Sequence, residues 1–326
     1  MKPSVVTVRG LIDPAELGTT LSHDHLLCDS WAVTQSYEFV VDDEALAIEE
    51  AKHFRAKGGN AIIDPTNIGL GRNPEALLRI SEATGLHILM GCGWYREAAY
   101  PVYIFQENPD QLAERVVSEL RFGASTSGIR PGFIGEIGTE RFHITPAQER
   151  VFRAAARAHR QTGATIMTHT THFGELALEQ LDLLEEEGVD PARVVISHLG
   201  DRIGVESFLP VAARGAWLGI DNVGFTDGYA PLEVRASNVA VLIEAGYLKQ
   251  ILLGSDICTT SQLRRYGGPG YTQVLENFVP LLLEHGIGEH DVHEMTVTNP
   301  ARAFAYPAST DDEPPALPSA KRWNAQ

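Results

Sequence analysis

Cysteine is scarce in this chain. Cys28, Cys92 and Cys258 are an odd number with no CxxC spacing, which argues against a disulfide framework or a thiolate metal site and fits a reducing cytoplasm as the expected location. No run reaches the roughly 18 consecutive apolar residues of a membrane span, and the opening MKPSVVTVRGLIDPAEL has no continuous apolar core of the signal-peptide kind. Positive charge is short as well. Lys and Arg total 26 against 43 Asp and Glu, for a net charge of −17 with no basic stripe, so neither nucleic acid nor an anionic membrane is an expected partner. No GxGxxG opens a helix after the first apolar run, which weighs against a dinucleotide-binding fold.

What is present is a regular alternation. Apolar runs bounded by turn residues predict eight strands, at 19–25, 60–65, 87–91, 132–137, 164–169, 193–198, 216–221 and 250–256. Amphipathic stretches at 42–56, 73–84, 110–122, 146–162, 173–187 and 205–214 predict helices between most of them. Strands alternating with helices pair in parallel, and eight such units in 326 residues close a (β/α)8 barrel more naturally than they fill an open sheet. Residues 5–8 and 10–14 are expected to form a short hairpin capping the barrel bottom. One domain is expected over 1–306, with the polar, proline-rich stretch 307–326 as a loosely ordered tail.

Histidines and carboxylates close the strand runs. His23 and His25 stand at i and i+2 near the end of the first, so a two-residue period points both imidazoles one way and Asp24 the other. Glu136, His169, His198 and Asp256 sit at or near the ends of the fourth, fifth, sixth and eighth. Any one alone reads as a hydrogen-bonded core residue, but gathered at corresponding strand ends they read as a metal centre, because a barrel brings strand ends to one face.

The motifs resemble the phosphotriesterase family of the amidohydrolase superfamily. They are Gly-Thr-Thr-Leu-Ser-His-Asp-His-Leu at 18–26, Asp-Pro-Thr-Asn from Asp64, Gly-Arg-Asn-Pro at 71–74, Gly-Ser-Asp from Gly254, Arg-Tyr-Gly-Gly-Pro-Gly-Tyr at 265–271 and Asn-Pro-Ala-Arg from Asn299. The resemblance runs from about residue 5 to about 305 and implies an amidohydrolase-type TIM barrel with two divalent metals. His23, His25 and Asp256 would hold the more buried ion and His169 and His198 the more exposed one. Many family members bridge the pair with a carbamylated lysine, yet no lysine lies between Lys57 and Lys249. In Gly132-Phe-Ile-Gly-Glu-Ile-Gly, Glu136 offers two oxygens instead, as in the family's phosphotriesterase-related subset.

Such a centre implies a hydrolase with a metal-bridging hydroxide as nucleophile and Asp256 as the proton shuttle, acting on a small ester, lactone, amide or phosphoester. Zinc suits imidazole and carboxylate ligands, with manganese, cobalt or iron as alternatives. Loops after the strands choose the substrate. Trp94, Tyr95 and Arg96 after the third run, Arg202 after the sixth, and Arg264 and Tyr266 after the eighth are candidate substrate contacts, with solvated loop positions as the alternative for each. His172 is a further candidate. The resemblance also implies a homodimer. A ligand-binding protein that kept the barrel and lost turnover is the competing reading.

Overall fold

The computed structural model describes residues 2–171, 173–225 and 228–308. β1 (Val5–Thr7) and β2 (Gly10–Ile12) form the expected antiparallel hairpin, and β3 is Thr20–Leu21. β4 (Cys28–Asp29) and β5 (Val40–Val41) pair antiparallel within the loop beyond β3. The remaining strands are β6 (Ala61–Asp64), β7 (His87–Cys92), β8 (Phe133–Gly138), β9 (Ile166–His169), β10 (Val194–Ile196), β11 (Trp217–Ile220) and β12 (Ile251–Leu253). Each of the eight expected strands is present. β3 and β6 to β12 make one parallel sheet in sequence order. Its two edges meet where Ser22 N donates to Leu253 O at 2.8 Å and Asp256 N to His23 O at 3.0 Å. The architecture is the (β/α)8 barrel.

Helix boundaries follow local chemistry. Asn73, Asn108 and Thr145 cap the helices Pro74–Thr84, Pro109–Phe122 and Pro146–Thr162 with their side-chain oxygens, and each helix opens on a proline whose missing N–H needs no partner there. Gly85 and Gly163 end two of them in the left-handed conformation. The helix expected at 173–187 is shorter, Ala177–Glu186, because Gly174 and Leu176 turn left-handed ahead of it. The one expected at 205–214 is a 3-10 turn, Val205–Ser207, followed by the α-helix Phe208–Ala213.

Alternate strand positions build two cores. Ile62, Ile88, Ile134, Val194, Leu218 and Ile251 face the helices, whereas Ile63, Leu89, Phe133, Met167, Val195 and Leu252 face the barrel interior. Val5 from the hairpin, Leu17 and Phe304 pack onto that interior group and plug the bottom. The Phe304 ring stands edge-on to Phe133 with centroids 5.4 Å apart. Of the expected tail, Pro307 and Ala308 are described, and Ala308 is buried against the main core; residues 309–326 lie outside the described part. No described helix is long and apolar enough to cross a membrane.

Candidate metal centre

At the other end of the barrel the strand termini carry polar side chains inward, by three different local devices. His23 and His25 lie just past β3, where the chain breaks the alternation: Leu21 faces the helices, and Ser22 N and Asp24 N donate to opposite neighbours, Leu253 O and Ile63 O, so both imidazoles turn inward. Between them Asp24 is fully buried, and its carboxylate accepts Ser255 N and Ile257 N, both at 3.0 Å, fixing the turn that carries Asp256. Glu136 needs a register shift. Phe133 faces the interior and Ile134 the helices, so strict alternation would turn Glu136 outward; an irregularity in the β8–β9 pairing between Ile134 and Ile137 reverses the phase. Gly135 permits it, at φ 144°, where a Cβ would lie 2.3 Å from Met167 O. His198 and Asp256 stand in left-handed backbone, at φ 64° and 52°. Non-glycine residues hold that conformation at a cost of about 1–3 kcal/mol each, and such positions gather at functional sites.

The side chains so placed form two overlapping triads. His23, His25 and Glu136 make one and Glu136, His169 and His198 the other, with one potential ligand atom from each residue lying within 4.8 Å of its companions. Glu136 belongs to both. Its Oε1 lies 3.5 Å from His25 Nε2, and its Oε2 lies 3.5 Å from His23 Nε2, 2.9 Å from His169 Nδ1 and 3.6 Å from His198 Nε2. Asp256 Oδ1 is 3.6 Å from His23 Nε2 and 3.5 Å from His25 Nε2.

The outer faces of the rings fix which nitrogen is available. Thr66 Oγ1 donates to Leu27 O at 3.0 Å, so it accepts the 2.8 Å bond from His25 Nδ1 and leaves His25 Nε2 with its lone pair. Asp221 lies 3.3 Å from His23 Nδ1 and 3.2 Å from His198 Nδ1, a carboxylate behind two imidazoles in the arrangement that orients metal-binding histidines. Tyr95 OH sits 3.1 Å from His169 Nε2, so His169 presents Nδ1. Burial pushes the His169 imidazole down to about 3. Burial alone would raise the Glu136 carboxyl, but the His169 and His23 rings hold it well below the usual carboxylate range. His23 Nε2 is fully buried without a hydrogen-bond partner. That orphan, pointed at carboxylate oxygens too distant to bond, fits a cation between them.

A family model, that of the phosphotriesterase family, matches residues 3–304. The chain belongs to the phosphotriesterase family. It is 34% identical to the phosphotriesterase homology protein of Escherichia coli, with 88% of this chain and 98% of that protein covered. It is 30% identical to the human N-acetyltaurine hydrolase, with 93% and 98% covered. Among solved structures, a lactonase from Listeria monocytogenes superposes with a TM-score of 0.87 at 29% identity, covering 92% of this chain and 98% of that one. Membership and relatives agree with the hydrolase expectation.

Above the triads this phosphotriesterase-family barrel opens a cavity of about 300 Å³. Tyr95 and Arg96 line it as expected, although Arg96 is already engaged, its guanidinium bonded to Glu140. Four expected substrate contacts lie elsewhere. Trp94, one position from Tyr95 and so on the opposite face, is 2% exposed in the main core with its Nε1 donating to Tyr103 OH. Arg202 reaches away to Phe173 O and Glu175, beside a neighbouring groove. Arg264 pairs with Glu276 at 2.7 Å, and Tyr266 is 62% exposed; neither lines the cavity. His172 lies outside the described residues.

Sequence reasoning missed Phe39 and Leu70, which with Phe225 and Tyr229 supply the apolar wall, and Asp221 behind the histidines. Asp221 had a visible signal, since it closes the seventh run as the other candidates close theirs. Arg235 was missed too. It is 0% exposed in the helix Leu232–Glu244, on the same buried stripe as Val239 and Leu242.

Proposed function

We propose that this protein is a binuclear metal-dependent hydrolase of small carbonyl substrates, with residues 1–306 as the hydrolytic unit. The observation that carries the reading is Glu136 shared between two histidine triads, which supports two ion positions bridged by one unmodified carboxylate. His23, His25 and Asp256 would hold the inner ion and His169 and His198 the outer, zinc first, with manganese, cobalt or iron satisfying the same donors. When bound, such a pair supplies a nucleophilic water at neutral pH and polarises the scissile oxygen.

The chain's own residues do the rest. Thr66 and Asp221 fix the imidazole orientations. Asp256, raised by burial, is suited to take the attacking water's proton and return it to the leaving group. Tyr95, Phe225 and Tyr229 enclose the substrate and exclude water. Arg96 is the one Lys or Arg among the described residues lining the cavity, and its commitment to Glu140 leaves no free guanidinium or ammonium to meet an anionic group of the substrate away from the metal positions, which favours lactones, esters and neutral amides. The homodimer and the cytoplasmic location belong to the same proposal.

Protein loaded with zinc or manganese is expected to carry about two ions per chain by elemental analysis and to hydrolyse members of a panel of lactones, carboxyl esters, N-acyl amino acids and aryl phosphotriesters, with Glu136→Gln inactive. Fewer than about one ion per chain, with no turnover restored by added metal, would overturn the mechanism and leave a binding protein.

A further inference from the structure

The loop after β11 brings Phe225 and Tyr229 to the cavity wall. Its first residues lean on the end of the barrel, with Gly224 N donating to Ser255 O at 2.8 Å. One side chain grips the loop from beneath. Arg235 Nε donates to Ala230 O at 2.8 Å, Nη1 to both the backbone and side-chain oxygens of Asn222 at 2.7 Å, and Nη2 to Phe225 O at 2.8 Å. The same Nη2 lies 3.7 Å from Asp201 Oδ1, and Asn222 Nδ2 also donates to Asp201. A guanidinium has five N–H donors in a rigid plane. Here four reach oxygens of Asn222, Phe225 and Ala230, and the fifth faces a buried carboxylate.

This use of an arginine is unusual, because a buried charge carries a large desolvation penalty that a plain core position would avoid. An apolar residue in its place would fill the helix-facing core, leave Phe225 O and Ala230 O without donors, and leave Asn222 O with Phe225 N alone. A lysine would supply three donors from one point, which cannot span oxygens this far apart in one plane. The anchored residues also connect two parts of the site. Asn222 follows Asp221, which backs His23 and His198, while Phe225 and Tyr229 face the substrate side.

We infer that Arg235 is a positioning residue for substrate selection: it holds the loop after β11 as a template, so that Phe225 and Tyr229 stand as a preformed wall of the metal cavity. It touches neither the candidate ligands nor the cavity itself. The inference rests on the hydrolase reading for its kinetic consequence, but not for its structural one. A bulky substrate depends on the wall and loses affinity when the wall is free to move. A small one does not.

The test uses the full chain with metal bound, as Arg235→Lys and Arg235→Gly. For Arg235→Lys, KM for 2-naphthyl acetate is expected to rise about tenfold or more with kcat held within about threefold, while kcat/KM for methyl acetate stays near wild type. For Arg235→Gly, chymotryptic cleavage after Phe225 and Tyr229 is expected to accelerate about tenfold or more with the rest of the peptide map unchanged. Guanidinium chloride at low millimolar concentration should reverse it and equal sodium chloride should not. Parallel loss on both esters with a lowered Tm, or cleavage rising throughout the chain, would show a merely structural arginine and overturn the inference, as would unchanged cleavage in Arg235→Gly. The proteolysis arm needs no turnover, so wild-type protein that hydrolyses neither ester counts against the hydrolase reading alone.

Discussion

The two ends of the barrel use the same strands in opposite ways. At the bottom, Val5, Leu17, Phe133, Met167 and Phe304 meet as an apolar plug. At the top, Glu136 three residues beyond Phe133 and His169 two beyond Met167 point into the barrel, joined there by His23 and Asp221. Buried side-chain atoms without partners concentrate there, at His23 Nε2, Thr168 Oγ1, Asp221 Oδ2 and Ser255 Oγ, whereas the bottom contributes the Tyr306 hydroxyl. Left-handed backbone at His198 and Asp256 adds strain to the same end. One end is relaxed and closes the fold. The other holds unmet valence, which only a stable remainder can tolerate.

Substitutions at the two ends should therefore fail differently. Glu136→Gln, which keeps the shape and removes the charge, is expected to lower kcat/KM of the metal-loaded protein by at least about 10³-fold, as several kcal/mol of electrostatic stabilisation disappear, with Tm nearly unchanged. Comparable activity in that variant would erase the functional side of the contrast. Phe304→Ala should do the reverse: about 3–5 kcal/mol of stability lost in urea titration, with turnover per folded molecule intact. Asp221→Asn removes the charge behind His23 and His198 and should weaken metal affinity by about 10- to 100-fold in a chelator competition. Tyr266→Ala, exposed and away from the cavity, should leave both stability and kcat/KM within about twofold, and a larger change would mean that the loop after β12 reaches the substrate.

Much of this contrast was legible from the amino acids alone, and the reasons differ from residue to residue. Each strand could be read because fully buried parallel strands are short apolar runs. The six candidate ligands stood out because each closes or nearly closes such a run. Glu136 was found by position, but its inward direction was not derivable, since it depends on a register shift that no periodicity displays. Trp94 and Tyr95 are adjacent aromatics with opposite fates, one in the core and one at His169, and only the path of the chain past β7 separates them. Arg264 read as a candidate substrate contact because loop composition is silent about outward salt bridges such as that to Glu276. The apolar wall came from segments far apart, Phe39 and Leu70 on one side and Phe225 and Tyr229 on the other.

The seam between β3 and β12, where Ser22 meets Leu253 and His23 meets Asp256, has a consequence for how the chemistry comes into being. Residues near the start of the chain become reactive only once a partner near its end has docked beside them. A nascent chain that has emerged only as far as His198 already contains the four candidate histidines and the shared glutamate, yet lacks the edge that would hold them in register. Function here is born in a single event, the last stave sliding in beside the first.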